Sequence, residues 1–160
     1  MINKRKDNIP SSIITKNKGA YYKYNIEKEL IAGIVLEGWE VKAIRAGKIN
    51  ITDSYISLQK GEAYLFGATF QPLAMASSHI ICEAVRPRKL LLNRQEIKLI
   101  YNYINRDGYT SIPLSLYWKN AWCKITIGIA RGKKYHDKRS TIKKREWEVY
   151  KKRLLKKQKY

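Results

Sequence analysis

Few side chains in this sequence have the types and spacing that metal binding requires. His79 and Cys82 are separated by two residues, as in many zinc sites, but no second pair of ligands follows them. Cys123 alternates with core isoleucines, so we interpret it as a small buried apolar residue. We therefore predict no metal and no other cofactor.

Catalytic groups are equally scarce. Cys82 and His79 could act as nucleophile and base, but no third group that would orient them is indicated. The closely spaced glutamates of 27–40 are typical of surface acids, and neither GxxxxGK[ST] nor GxGxxG occurs. We predict that the protein is not an enzyme. An RNA-modifying or RNA-cleaving enzyme that uses His136 or His79 is the least favoured alternative.

The charge of the chain is far from neutral. Its 160 residues include 33 Lys and Arg but 13 Asp and Glu, giving a formal net charge of +20. Such a charge favours polyanionic partners. The last 30 residues carry 14 of the basic residues and 3 of the acids, so the charge is concentrated there. We divide the chain into a flexible polar leader (1–16), a folded RNA-binding body (17–130) and a basic C-terminal tail (131–160).

The basic residues are interleaved with aromatic residues. Cations neutralise phosphates, and aromatic rings stack on bases or sugars, so this pattern indicates RNA binding rather than a merely solvated surface. It occurs in three segments, 18–24, 122–124 and 133–136, and 86–89 adds a further group of cations.

The cellular context follows from the apolar residues and the cysteines. The longest apolar run, 30–36, is far too short to span a bilayer, and no apolar signal sequence is recognisable. Two cysteines fit a reduced compartment better than a disulfide scaffold. We predict a cytoplasmic monomer with no membrane association.

The body has the pattern of short strands with flanking helices. Hairpins are predicted with turns at Lys60–Gly61 and Lys119–Asn120, and the residues from 21 to 36 are predicted to be a strand that buries residues 34–36. Helices are predicted over 38–48 and 93–108, and Asn93 with Glu96 three residues on predicts a capping box at the start of the second. This order favours a mainly β fold with flanking helices, built as a small closed antiparallel OB-like barrel.

The basic tail has two parts. Residues 131–139 contain no apolar side chain that could form a core, so alone they are predicted to be disordered. From about Thr141 a helix becomes possible, with Trp147, Tyr150 and Leu154 at i, i+3 and i+7. We expect this helix to order against a polyanion.

Several independent blocks, in order, resemble the family of small protein B (SmpB), the SsrA-binding proteins. The resemblance runs from about Asn17 to the end of the chain. It is carried by GWEVKAIRAGK with the following DSY (38–55), RPRKLLLN (86–93), GYTSIPLSLYWKN with WCK (108–124), and RGKKYHDKRSTIKKREW (131–147).

The resemblance implies a specific function. It implies binding to the tRNA-like domain of transfer-messenger RNA (tmRNA, SsrA), and delivery of that RNA, with GTP-bound elongation factor Tu, to stalled ribosomes. Trans-translation then tags the incomplete protein. The body would contact the RNA elbow. The tail would form a helix in the decoding centre of the small subunit and the empty mRNA channel.

The resemblance also implies two sets of site residues. The set facing the RNA comprises Asn17, Lys18, Tyr24, Tyr55, Lys89, Leu91, Asn93 and Lys124. The set facing the ribosome comprises Gly132, Lys133, Lys134, His136, Asp137, Lys138, Arg139, Trp147, Leu154 and Leu155. His136 would stack in the decoding centre, and Asp137 would orient a neighbouring cation or cap the tail helix.

Two positions depart from the family pattern. Ile31 stands where the family has an acid, with Glu29 two residues away, and Gly19 stands where it has a basic residue. The alternative function is a generic OB-type protein that binds structured RNA, or a ribosomal protein.

Overall fold

The computed structural model describes residues 12–74, 79, 81–106 and 108–157. Four helices and nine strands lie in these ranges. The strands are β1 (Ser12–Lys16), β2 (Tyr24–Ile34), β3 (Ile49–Asn50), β4 (Tyr55–Gln59), β5 (Glu62–Phe66), β6 (Thr69–Phe70), β7 (Arg88–Leu91), β8 (Tyr109–Lys119) and β9 (Trp122–Gly132). The helices are α1 (Ala20–Lys23), α2 (Gly38–Arg45), α3 (Arg94–Ile104) and α4 (Tyr135–Lys157).

One antiparallel sheet organises the body. Its strand order is β1-β8-β9-β2-β7-β5-β4, and β3 and β6 form a separate pair. The sheet curls until β4 lies against β8, but no ladder joins these two strands among the described residues. The mainly β, OB-like fold with flanking helices is therefore confirmed, and the barrel is open instead of closed.

The hairpin turns follow from residues that tolerate positive φ. Lys60 (φ 50°) and Gly61 (φ 78°) form the predicted two-residue turn between β4 and β5. The second turn is Asn120–Ala121, one residue later than predicted. Lys119 still pairs with Trp122 in the ladder, and Asn120 takes the left-handed conformation (φ 55°).

The predicted leader is too long at its C-terminal end. Residues 12–16 form β1, which pairs with β8, and Ile14 packs against the main core. Burial of this side chain and the ladder hydrogen bonds explain why the segment is ordered. Residues 1–11 lie outside the described residues. The predicted strand from residue 21 begins instead at Tyr24, after the single helical turn α1.

The core lies on the inner face of the sheet. Cys123, Ile125, Ile127 and Ile129 are buried there, as their alternation predicts. Val35 is 44% exposed, contrary to the prediction, because Ile34 points inward and strand alternation turns the next side chain outward.

A second, smaller cluster lies on the opposite face of the sheet, under α1. It contains Ala20, Ile112, Leu114 and Ala130. This cluster fixes α1 against the sheet close to the root of the tail.

The basic tail forms a longer helix than the sequence predicts. It begins at Tyr135 instead of near Thr141, and so includes part of the segment predicted to be disordered. Asp137 lies in the first turn, where a negative charge is favourable to the helix dipole. The guanidinium of Arg139 lies 4.6 Å from the Tyr135 ring centroid, which adds a cation–π contact to the same turn.

Candidate nucleic-acid interface

An ionic cluster around a fully buried pair, Glu40 and Arg88, fixes the start of β7. Arg88 and Glu40 are both 0% exposed, and the Arg88 Nε donates to Glu40 Oε1 at 2.7 Å. Arg86 donates to both oxygens of the same carboxylate, at 3.0 and 2.6 Å. The Oε2 of Glu40 also accepts a hydrogen bond from the backbone N–H of Glu37 at 2.8 Å, at the start of helix α2. Each carboxylate oxygen is thus satisfied without water.

The remaining donors of Arg88 hold the segments around it. They reach the carbonyl oxygens of Ala68, Ala84 and Arg86 at 2.9, 3.1 and 2.9 Å. The guanidinium lies 3.8 Å from the Phe70 ring centroid. Burial lowers the pKa of Arg88, and the Glu40 charge opposes that shift. Because Arg88 is anchored inward, strand alternation turns the next residue of β7 outward.

The outer face of the sheet is its side opposite the main core, and it presents a row of aligned positions on three strands. Lys124 of β9 pairs with Gly33 of β2, and Gly33 pairs with Leu91 of β7. At the usual strand spacing Lys124 and Leu91 lie about 10 Å apart across the row. Leu91 is 56% exposed although it is apolar. A cation and an exposed apolar side chain thus share one surface.

Lys89 lies on the same outer face, two residues before Leu91. Its Nζ lies 2.5 Å from Oε1 of Glu62, and both side chains are partly exposed. Hydrogen bonding to Glu62 raises the pKa of Lys89, and hydrogen bonds from Lys89 and then Tyr64 lower the pKa of Glu62. Lys89 is therefore charged but already paired in the free protein.

Asn17 is placed in the fold in a way that the sequence did not predict. It is 4% exposed, and its Nδ2 donates to the carbonyl oxygens of Thr52 and Pro113, both at 3.2 Å. It thereby bridges β8 and the loop before β4, where the barrel stays open. Its role as a direct RNA contact stays a prediction.

Asn17 also brings two other predicted RNA residues together. Tyr24 and Tyr55 line a cavity of about 210 Å³ with it, and Tyr55 stacks on Phe66 with ring centroids 5.7 Å apart. Of the remaining two residues, Lys18 is exposed beside α1, away from this cavity. Asn93 is exposed at the start of α3, where its N–H donates to Glu96 at 2.8 Å in the predicted capping box.

The departure at Ile31 has a structural counterpart. Ile31 and Glu29 both point to the outer face, because their partners in β9 are Thr126 and Gly128. This confirms that the two share a face. Ile31 is exposed, whereas Glu29 accepts a hydrogen bond from the Tyr21 hydroxyl at 3.3 Å.

The root of the tail is tied to the body. Gly132 pairs with Tyr24 at the end of β9. Lys133 donates from its backbone N–H to the Lys23 carbonyl at 3.0 Å, and from Nζ to the Tyr21 carbonyl at 2.9 Å. Two of the predicted ribosome-facing residues therefore also have a structural role at the junction.

The other residues of the ribosome-facing set lie on or just before α4. Lys134 precedes the helix, and His136, Asp137, Lys138 and Arg139 lie in its first turns. His136 Nε2 lies 3.5 Å from Asp137 Oδ1, and both side chains are well exposed. Further along, Trp147, Leu154 and Leu155 are exposed apolar side chains on a helix rich in cations.

Neither a cluster of metal ligands nor a membrane-spanning helix occurs among the described residues. Within the described ranges, no three His, Cys, Asp or Glu side chains come together as metal ligands would. No helix in that part of the chain is long and apolar enough to cross a membrane.

Sequence reasoning missed the Glu40–Arg88 cluster. Glu40 had the spacing of a surface acid, and nothing in its local pattern revealed that it is buried. The two arginines of RPR, so close in sequence to apolar LLL, were the one available signal that a charge is taken into the core.

Comparison with known proteins connects the body and the tail. A family model described as "SmpB protein" matches residues 14–157, which covers both. The fold also matches a chain from a solved structure described as "tmRNA-SmpB: a journey to the center of the bacterial ribosome". The TM-score is 0.64 and the identity 34%, over 78% of this chain and 87% of that chain. The chain therefore belongs to the SmpB family.

Proposed function

We propose that the protein is an RNA-binding adaptor of trans-translation. It binds the tRNA-like domain of transfer-messenger RNA and delivers this RNA to stalled ribosomes, where incomplete proteins are tagged. The family match over residues 14–157 carries this proposal, because it includes the RNA-binding body and the basic tail together. The solved structure that the chain resembles is described as a complex of tmRNA with SmpB in the ribosome.

The outer face is the surface that we assign to the tRNA-like domain. Lys124 and Lys89 supply charge for phosphates, and Leu91 supplies an apolar contact for a ribose or a base. No side chain at Gly33 stands between Lys124 and Leu91. Lys89 would exchange its partner Glu62 for a phosphate on binding.

The tail is the part that we assign to the ribosome. Its cations would contact small-subunit RNA along the mRNA channel, and the exposed ring of His136 would stack in the decoding centre. Elongation factor Tu with GTP would join the complex through the RNA. No catalytic step is assigned to any residue.

A competition experiment tests this function. The full chain is titrated onto labelled tRNA-like domain with ordinary tRNA as competitor, over a series of salt concentrations. We expect selective binding and a salt slope of about −0.7 to −0.9 per phosphate contact. Equal affinity for both RNAs would instead favour a generic structured-RNA-binding or ribosomal protein.

A further inference from the structure

An open groove separates α1 from the tail helix α4. Its volume is about 660 Å³. One wall carries Lys18, Tyr21 and Tyr22 from the body, and the other carries Arg145, Tyr150 and Arg153. The residues that line it do not include Lys124, Gly33 or Leu91, which form the row on the outer face.

The body wall of this groove is held in place. The two hydrogen bonds of Lys133 join the root of the tail to the Lys23 and Tyr21 carbonyls. The Tyr21 hydroxyl is in turn bonded to Glu29, which fixes the direction of the ring. These contacts define where α4 leaves the body, and so they define the spacing between the walls.

The rings in the groove are available to a ligand. Tyr21, Tyr22 and Tyr150 are 56%, 42% and 54% exposed, and they stand on both walls. Ile142 and Val149 add apolar surface on the same side of α4. Aromatic faces of this kind stack on the bases of single strands without regard to sequence. In a duplex these base faces are already covered by stacking, so a double helix could not use the rings.

The charge of the groove narrows the choice of ligand to anions. Lys18, Arg145 and Arg153 line it against a single acid, Glu146. An acidic protein segment would satisfy the cations but would leave the tyrosine faces with no planar partner. A polyanion whose units carry flat rings satisfies both.

We propose that the groove between α1 and α4 binds an unpaired RNA strand. The tyrosines stack on its bases, and Lys18, Arg145 and Arg153 contact its phosphates. This inference rests on the proposed function only in that the chain acts on RNA. It adds a second RNA site besides the row of Lys124, Gly33 and Leu91, and this site shares Lys18 with the residues that the resemblance assigns to the tRNA-like domain.

The test measures the anisotropy of labelled oligoribonucleotides with the full chain. The probes are oligouridylate and oligoadenylate of about eight nucleotides, within the usual site size. A duplex of the same length and a polyglutamate competitor complete the set. Tyr22→Ala and Tyr150→Ala remove rings from the two walls. Tyr101→Ala removes an exposed ring from α3 that does not line the groove, and serves as the matched control.

Charge is tested by a second matched pair, whose two residues both lie on α4. Arg145→Glu reverses a charge that lines the groove, whereas Lys151→Glu reverses one outside it. We expect each Tyr→Ala variant to weaken single-strand binding about tenfold, and Arg145→Glu to weaken it more than Lys151→Glu. Duplex RNA and polyglutamate should compete poorly.

Three results would overturn the inference: equal losses for Tyr101→Ala and Tyr150→Ala, equal losses for the two charge reversals, or displacement of the strand by polyglutamate. The tRNA-like domain is titrated onto the same variants. If the tRNA-like domain binds the variants normally, and single strands bind the groove variants and the control variants equally well, this inference is wrong and the proposed function stands.

Discussion

Gly33 on β2 and Leu91 on β7 are cross-strand partners, and a Cβ added at Gly33 would lie 3.3 Å from both Cβ and Cδ1 of Leu91. The glycine therefore lets the Leu91 side chain lie close over β2, toward the side of the sheet where Lys124 stands. A glycine inside a strand favours a bulge or a close approach of a neighbouring segment, and at Gly33 the structure has a close approach.

Gly33→Val should weaken binding of the tRNA-like domain about tenfold while leaving the fold intact. Valine suits a strand, but its side chain would displace Leu91 and occupy the space next to Lys124. The measurement is affinity together with a thermal melt. Gly38→Val is the control, because no atom lies within 4 Å of its added Cβ. Wild-type affinity in Gly33→Val would remove this row from the RNA surface.

Glu62→Gln should make Lys89 more available to RNA. The substitution removes the charged partner that raises the pKa of Lys89, and the amine is left free to reach a phosphate. Wild-type Lys89 must leave Glu62 to contact a phosphate, so affinity for the tRNA-like domain should rise in Glu62→Gln, with little change in the slope of log affinity against log salt. Glu148→Gln removes an equal charge from α4 and controls for net charge. Equal affinities of the two variants would argue against a phosphate contact at Lys89.

The same pair predicts a pH dependence with a defined sign. Because the pKa of Glu62 is lowered in the folded state, the pair stabilises the fold above the pKa of a free glutamate. This stabilisation is lost as the pH falls through the lowered pKa of Glu62 in the folded state. The wild-type chain should therefore lose more stability on acidification than Glu62→Gln does.

Glu40→Gln should destabilise the protein by about 3 to 5 kcal/mol, because it leaves the buried Arg88 guanidinium without a counter-charge. Urea unfolding measures this loss. Glu37→Gln, at a half-exposed carboxylate that also faces Arg86, should cost about 1 kcal/mol. The double variant Glu40→Gln/Arg88→Met should recover part of the loss. A single Glu40→Gln variant as stable as the wild type would contradict the importance of the buried cluster.

Cys123→Val should reveal a titration of the buried thiol. Burial raises its pKa from 9.0 to about 12, so above the unfolded value the folded state retains a proton that the unfolded state releases. The wild-type free energy of unfolding, compared with that of Cys123→Val, should fall by about 1.4 kcal/mol for each pH unit above that value. Unfolding near pH 8 and pH 10 checks this. A difference that does not change with pH would show that the thiol is not protected.

Local patterns in the sequence predicted the local parts of the fold. The alternation of Cys123 with isoleucines, the Lys60–Gly61 turn and the Asn93–Glu96 capping box depend on neighbouring residues, and each is confirmed. The strand β1 was missed because its stability comes from pairing with β8, about a hundred residues away. A polar, basic segment gives no local sign of that partner.

The interface was predicted less completely than the fold. The row of Lys124 and Leu91 depends on the register of three strands, which the sequence of any one strand does not reveal. Asn17 was assigned to RNA through family resemblance, yet its amide is buried between two carbonyl groups. The groove between α1 and α4 was not predicted, since it depends on where the tail helix leaves the body.

The most direct test of the account separates the two parts of the chain. A chain ending at Lys134, which keeps β9 and the Lys133 contacts, is compared with the full chain for selective binding of the tRNA-like domain and for tagging on stalled ribosomes. We predict that the shortened chain still prefers the tRNA-like domain over ordinary tRNA but does not support tagging. Full tagging by the shortened chain would contradict the division between an RNA-binding body and a tail that acts on the ribosome. Loss of the preference for the tRNA-like domain when the tail is removed would contradict it as well.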